Sequence, residues 1–196
     1  MSEGVGTTPG IRIVDGRRVP EVGTWEIDPS HQSFEFIARH LMAKVRGRFP
    51  AVQGVATIAE RPEDSTLEIE IDASSIDTKD ETRDAHMRSD DFFGVEDHPG
   101  ISFRSTGVRR GEGESEWKVD GDLTIKGATR PVTVDVEFLG GAIDPWGNQR
   151  IGFSGVVPKV DRRDWGLVWN TPLETGGFLL SDSVRLEIEA ELVKKG

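Results

Sequence analysis

The chain has 196 residues, of which 35 are acidic and 24 basic, so its formal net charge is −11. This charge repels nucleic acid and anionic membrane surfaces over the general surface, so we expect no nucleic-acid partner, although a local basic patch such as Arg46 with Arg48 stays open. The chain contains no cysteine, which excludes disulfides, thiolate zinc sites and cysteine nucleophiles.

The first 22 residues are predicted to form an arm outside a main domain at 23–196. Residues 1–9 are mostly small and polar, and we expect them to be disordered. Ile11–Val14 and residues 17–19 flank Asp15-Gly16, a pair typical of a two-residue hairpin turn. The arm lacks the apolar core of a secretory signal, and no apolar run reaches the ~18 residues of a membrane span, so a cytoplasmic location is expected.

Beyond the arm, apolar residues recur at every second position, which is the pattern of half-buried strands. Alternation is clearest at 34–39, 67–72, 132–138 and 184–192, and further strands are predicted at 45–49, 55–60, 101–108, 117–125 and 151–157. About eight to ten strands with one apolar face each predict an antiparallel sheet closed into a barrel, or two packed sheets. Asp120-Gly121 is locally typical of another hairpin turn.

One stretch, residues 77–91, departs from this pattern and is predicted to be helical. It has no Gly or Pro, Asp77 or Thr78 can cap it, and Asp84 and Arg88 are spaced for an i,i+4 pair. Its apolar residues are few, mainly Ala85 and Met87, so it is not a core helix. We expect it to lie over an opening of the barrel or on its outside.

Sequence motifs for catalysis, metal binding and cofactor binding were not found. There is no P-loop, no dinucleotide fingerprint and no His-Glu-x-x-His pair. The four histidines are not paired at metal-ligand spacing, so no metal site and no cofactor are predicted. The densest set of reactive side chains is Asp80, Asp84, His86, Asp90 and Asp91, and on a helix these point to different faces, which favours a solvated charged helix over a catalytic site.

The aromatic residues leave two interpretations open. Five phenylalanines lie in the apolar phase of their strands, and five further aromatic residues lie in connections: Phe34, Phe36, Phe103, Phe138 and Phe153, and Phe92, Phe93, Trp165, Trp169 and Phe178. They can fill the interior as a packed core, or they can line a lumen that holds one apolar ligand. Periodicity does not distinguish these alternatives.

Several strings, taken in order, resemble one protein family. They are Trp25-Glu26-Ile27-Asp28, His31 to Phe36, His40-Leu41, Val45 to Phe49, Ser75-Ile76-Asp77-Thr78, Arg83 to Phe93, His98 to Phe103, Gly121 to Gly127 and Arg163 to Leu167. This order and spacing resemble the YceI-like family of bacterial lipocalin-like proteins. In that family the Gly121 to Gly127 string is the interior of one strand, which favours a strand over a turn at Asp120-Gly121. The resemblance begins near Gly23, and Met87 replaces a leucine of the family pattern.

The resemblance implies an all-β fold, an extended eight-stranded antiparallel lipocalin-like barrel with a short helical insertion. It also implies a carrier or store of a long apolar molecule, such as a polyisoprenoid or an isoprenoid quinone, and a homodimer, since dimers are common in the family. Many members carry a secretory signal, whereas none is expected here. The N-terminal hairpin has no counterpart in the family pattern.

With the resemblance added, a ligand-binding lumen becomes the favoured interpretation. The candidate ligand-binding residues are Phe34, Phe36, His40, Arg83, His86, Phe92, Phe103, Phe153, Trp165 and Phe178. His40, Arg83 and His86 are candidates for the polar end of the ligand, although Arg83, Asp84 and His86 could instead attach the helix to the barrel. Two other functions stay open: an enzyme acting on an apolar substrate with Asp84 and His86 as its acid–base pair, and a filled barrel that serves as an interaction scaffold.

Overall fold

The computed structural model describes residues 8–196, so the disorder predicted for 1–9 falls mostly outside the described residues. Within this range the chain forms eleven strands and one α-helix. The strands are β1 (Ile11–Val14), β2 (Arg17–Pro20), β3 (Gly23–His40), β4 (Ala43–Arg48), β5 (Val52–Ile58), β6 (Thr66–Asp72), β7 (Gly100–Arg110), β8 (Glu116–Ile125), β9 (Ala128–Ile143), β10 (Gln149–Asp161) and β11 (Leu180–Lys194), and the helix is α1 (Glu81–Arg88).

The main sheet closes into an eight-stranded antiparallel barrel, as predicted. β4 and β5 both pair with β3, β4 along its second half and β5 along its first residues, so together they act as one bent strand. From β5 the neighbours follow chain order through to β11, and β11 pairs back onto β3. Among the described residues, each strand of this sheet except β4 pairs on both sides, so the barrel lacks the long free edges that in an open sheet would invite pairing with another chain.

Alternation of side chains explains why these segments form strands. In β11, Ala190 and Leu192 are buried, whereas Glu189, which precedes Ala190, is exposed. In β6, Ile69 is buried between Glu68 and Glu70, which face water. A period of two places every apolar residue of a strand on the inner surface, so the barrel interior collects the apolar faces of all eight strands.

Gly121 lies inside β8 and not in a turn, so the family resemblance was the correct guide at Asp120-Gly121. A Cβ at this position would lie 2.3 Å from Cζ of Phe103 and 2.6 Å from the carbonyl oxygen of Arg104. The ring of Phe103 lies directly over the Gly121 backbone, and only glycine allows that approach. The glycine is therefore required by packing across the strands.

The predicted helix is present but shorter, and two of its predicted details are wrong. Asp80, not Asp77 or Thr78, caps α1 through its side chain, which accepts from the Arg83 backbone N–H. Asp77 instead pairs with the extended backbone of Arg48. The predicted i,i+4 pair of Asp84 and Arg88 does not form. Asp84 instead accepts hydrogen bonds from Thr78, and the Arg88 guanidinium donates to backbone carbonyls. At eight residues, α1 is too short to cross a membrane, and no other described helix is longer.

The N-terminal hairpin of β1 and β2 turns at Asp15-Gly16, both of which have positive φ as this tight turn requires. It lies across the end of the barrel where β3 begins. The Arg12 side chain donates to the carbonyls of Ala59 and Glu60 on one side of that end, and Arg17 donates to those of Gly111 and Gly113. Ile11 and Val19, from the two strands of the hairpin, are buried beneath it.

Replacement of Gly121 by alanine tests this packing. We expect Gly121→Ala to lower the free energy of unfolding by about 1–3 kcal/mol, because the added methyl overlaps the Phe103 ring and the Arg104 carbonyl. Urea denaturation measures the change. Gly107→Ala is the matched control, since its Cβ would meet nothing within 4 Å; equal losses in the two variants would contradict the packing role.

Candidate functional site

A cavity of about 650 Å³ runs inside the barrel. Its lining is almost wholly aliphatic and aromatic. All eight strands of the barrel contribute to it, and examples are Ile27, Ile69, Phe103, Val134 and Leu186. The interior is therefore not filled by side chains, which removes the premise of the filled-barrel scaffold. The volume lies within the range of about 300–1,000 Å³ that small-molecule sites occupy.

Nine of the ten candidate residues line this cavity, and one does not. Those that line it are Phe34, Phe36, His40, Arg83, His86, Phe92, Phe103, Phe153 and Trp165. Phe178 lies in the connection before β11 with its side chain 64% exposed. It follows Gly176-Gly177, both with positive φ, and the turn they make directs it away from the interior.

A glycine allows one aromatic side chain of the cavity wall to lie close to the backbone. Phe36 lies against Gly47, its cross-strand neighbour, where a Cβ would come within 2.3 Å of its ring. Phe36 also packs on Phe49, which contacts Phe93 edge-on at 5.6 Å between ring centroids. These contacts hold the Phe36 ring against the backbone of the neighbouring strand.

The two ends of the cavity differ in polarity. Pro20 of the hairpin, Ile58 and Pro62 line the end that the hairpin crosses. At the other end the lining includes charged and titratable side chains: His40, Asp80, Arg83, His86 and Arg162. Asp80 and its neighbour Thr82 are exposed as well as lining, so the cavity reaches solvent beside α1. We refer to this end as the mouth.

Thr78 attaches α1 to the mouth. Its hydroxyl donates to Asp84 Oδ1 (2.6 Å) and accepts from Arg83 Nε (2.7 Å), and its backbone N–H donates to the same Asp84 oxygen (2.8 Å). Asp84 and Thr78 are both buried. Arg83 also donates from Nη2 to the Thr78 carbonyl, while its Nη1 has no hydrogen-bond partner in residues 8–196. Arg83 thus anchors the helix and keeps donors for a further group.

His86 is held separately from Asp84. Its Nε2 hydrogen bonds with Asp91 Oδ2 at 2.8 Å, and its ring meets Phe92 and Trp169 edge-on at centroid distances of 5.1 and 4.6 Å. The carboxylate of Asp84 is engaged by Thr78, so the structure does not bring Asp84 and His86 together as an acid–base pair. Trp169 also lines this end of the cavity. It was not among the candidate ligand-binding residues, because its sequence position did not distinguish it from the other aromatic residues.

Arg162, which was missed from the sequence, organises the other side of the mouth. It is only 5% exposed, and its guanidinium donates to the carbonyls of Leu167, Trp169 and Ser181 and to Asp182 Oδ1. Burial lowers the pKa of this guanidinium from its usual value, an effect that Asp182 opposes. Its four acceptors fix the connection between β10 and β11 against the barrel. It directly precedes the Arg163-Asp164-Trp165 string, but nothing local shows that it is buried.

Loss of the Arg162 guanidinium tests this role. We expect Arg162→Met to cost about 3–5 kcal/mol, because it leaves three backbone carbonyls without their donor and removes one of the two arginine partners of Asp182. Hydrogen exchange in residues 166–180 and thermal unfolding are the measurements. Arg163→Met is the control: its side chain is 55% exposed, and its salt bridges within residues 8–196 are to Asp161 and Asp182. Equal protection of the connection in both variants would contradict the assignment.

Comparisons with known proteins agree with this architecture. A family model described as the YceI-like domain matches residues 25–192. The UPF0312 protein of Staphylococcus aureus strain MSSA476 is 41% identical over 167 residues, which cover 84% of this chain and 94% of that protein. The Campylobacter jejuni YCEI protein is 30% identical with a TM-score of 0.68, over 81% of this chain and 90% of that one. A polyisoprenoid binding domain from Saccharophagus degradans has a TM-score of 0.62 at 15% identity, over 89% of this chain and 100% of that one, a likeness of fold alone.

Proposed function

The chain belongs to the YceI-like family, and we propose that it binds one long apolar molecule, of the isoprenoid or a similar lipid class, in its barrel without altering it. The cavity carries this proposal. Its apolar walls surround about 650 Å³ of space that reaches solvent beside α1, so water at these walls is in contact with apolar surface. An apolar occupant would remove much of that surface from water, which is favourable in proportion to the area covered.

The shape of the cavity supports an elongated ligand with one polar end. Its walls are apolar along the barrel, and its charged and imidazole groups gather at the mouth. Burial contributes about 0.8 kcal/mol per methylene, so fifteen carbons supply roughly 12 kcal/mol before the costs of ordering. A hydrogen bond to a head group adds only about 0.5–1.5 kcal/mol, or about 1.5–3 kcal/mol where the donor is charged, as Arg83 is. The tail therefore determines affinity, and the head-group contact determines orientation.

The comparisons support the ligand class. The Saccharophagus degradans domain with the same fold is named for binding a polyisoprenoid, which is an apolar chain of the kind this cavity suits. Carriage or storage of such a molecule requires only reversible burial. The mouth beside α1 would serve for entry and release, since the hairpin crosses the other end.

Mass spectrometry of an organic extract of the natively purified protein tests the proposal. We expect a single class of long-chain apolar molecule, in an amount near one per chain. An empty extract, together with no enhancement of a fluorescent apolar probe added to the protein, would overturn it.

A comparison of three variants tests whether the tail dominates affinity. Ala56→Phe adds a ring to the buried lining and takes up space that the ligand tail would occupy. If the ring displaces three methylenes of the tail, binding should weaken by about 50-fold, at ~0.8 kcal/mol per methylene. His86→Ala removes one hydrogen-bonding group and should weaken binding about 2–13-fold. Titration with a fluorescent fatty-acid probe measures both losses.

Val55→Phe is the control for that titration. Val55 precedes Ala56 in β5 and is 38% exposed on the outer face, so its substitution should leave affinity unchanged. An equal or greater loss in His86→Ala than in Ala56→Phe would overturn the dominance of the tail.

A further inference from the structure

The turn between β3 and β4 exposes apolar side chains beside the mouth. Met42 is 91% exposed and Leu41 48% exposed. The Leu41 backbone N–H donates to the carbonyl of Leu179, so Phe178, 64% exposed, lies next to this turn. His40 directly precedes the turn and lines the cavity. An apolar surface therefore adjoins the mouth.

The backbone at this turn makes the exposure costly. Leu41 has φ of 53°, a left-handed conformation that Gly, Asn or Asp ordinarily supplies in a two-residue hairpin turn. A leucine in this conformation is strained, and such strain concentrates at functional segments. Leu41 and Met42 favour neither folding nor solubility at this position. An interaction with a partner outside the barrel therefore explains better why these residues occur here.

Two cations stand directly behind the apolar turn. Arg39 and Lys44 are cross-strand neighbours on the outer face, where like charges repel each other. Among residues 8–196, neither forms a salt bridge, and the Arg39 guanidinium donates only to the Met42 carbonyl, at 3.4 Å. In contrast, Arg46 further along β4 binds both Glu35 and Glu187. In a chain of net charge −11, this exposed pair of cations forms a local basic patch that an anionic partner could contact.

The opposite end of the barrel offers a comparison. Trp146, in the turn between β9 and β10, is 80% exposed. The cation that follows it in the chain, Arg150, is bound by Asp28, Asp144 and Glu191. The hairpin also lies across this end, so an anchor there would not bring the mouth to a surface.

We propose that Leu41, Met42 and Phe178, with Arg39 and Lys44 behind them, form a docking tip for a bilayer that contains anionic phospholipids. The apolar side chains enter the boundary between headgroups and acyl chains, and the two cations contact lipid phosphates. This arrangement places the mouth against the lipid surface, where an apolar ligand would pass without crossing water. The transfer of a ligand through the docked mouth rests on the proposed function, whereas docking to the bilayer does not require a ligand.

Cosedimentation of the ligand-stripped protein with two kinds of vesicle tests the proposal. One kind is phosphatidylcholine alone, and the other is phosphatidylcholine mixed with phosphatidylglycerol. We expect binding to the mixed vesicles that falls as salt is added. Each of Arg39→Gln and Lys44→Gln should reduce the partition coefficient about fivefold, from ~1 kcal/mol per cation near an anionic surface. Met42→Ser should also reduce it, whereas Glu174→Gln, on the loop that carries Phe178, should raise it.

Trp146→Ser is the matched control and should bind as the unaltered protein does. Met42 and Trp146 are both highly exposed, so neither substitution should change the thermal unfolding midpoint. No binding by the unaltered protein, equal binding to both kinds of vesicle, or a loss in Trp146→Ser alone would each overturn the proposal. Because these measurements use no ligand, they fail or succeed independently of the extraction and probe experiments.

Discussion

The pairing of β11 with β3 is the contact on which the rest of the structure depends. It runs from Lys194 opposite Trp25 to Leu180 opposite His40 and converts a row of strands into a closed barrel. Eight strands enclose an interior that side chains can fill or that can hold one ligand. Here small residues such as Ala56 and Ala190 stand among the inward positions, and the space that they leave is the lumen.

Arginines that donate to backbone carbonyls secure both ends of that barrel. Segments outside the strands have carbonyls without ladder partners, and a guanidinium offers five donors in a planar array. Arg12 and Arg17 use this to hold the N-terminal hairpin across one end, and Arg162 uses it to hold the connection beside the mouth. Arg83 shares the role through Thr78 but retains donors toward the cavity. The cations at the mouth are thus divided between structural anchors and groups free to bind a partner.

The strands were predictable because each depends on a period of two within its own residues. Gly121 was not predictable from local pattern alone, since the reason for a glycine there is a ring from the neighbouring strand. The helix was predicted too long because Asp77 gained a partner in Arg48, far away in sequence. Phe178 was assigned to the site by residue type, but its loop turns it outward, whereas Thr78 and Arg162 carried no local sign of their burial.

By itself, the sequence determined which face of each strand is apolar, the order of the motifs and hence the family, because these properties reside in neighbouring residues. Only the tertiary structure decided that the barrel is hollow and that Arg83 and Asp84 meet at Thr78. It also decided that Arg39 and Lys44 find no carboxylate partner among the described residues, 8–196. The volume of a lumen is the difference between the space that the closed sheet encloses and the side chains that enter it. That difference, like the partner of each charge, depends on residues from distant parts of the chain that only folding brings together.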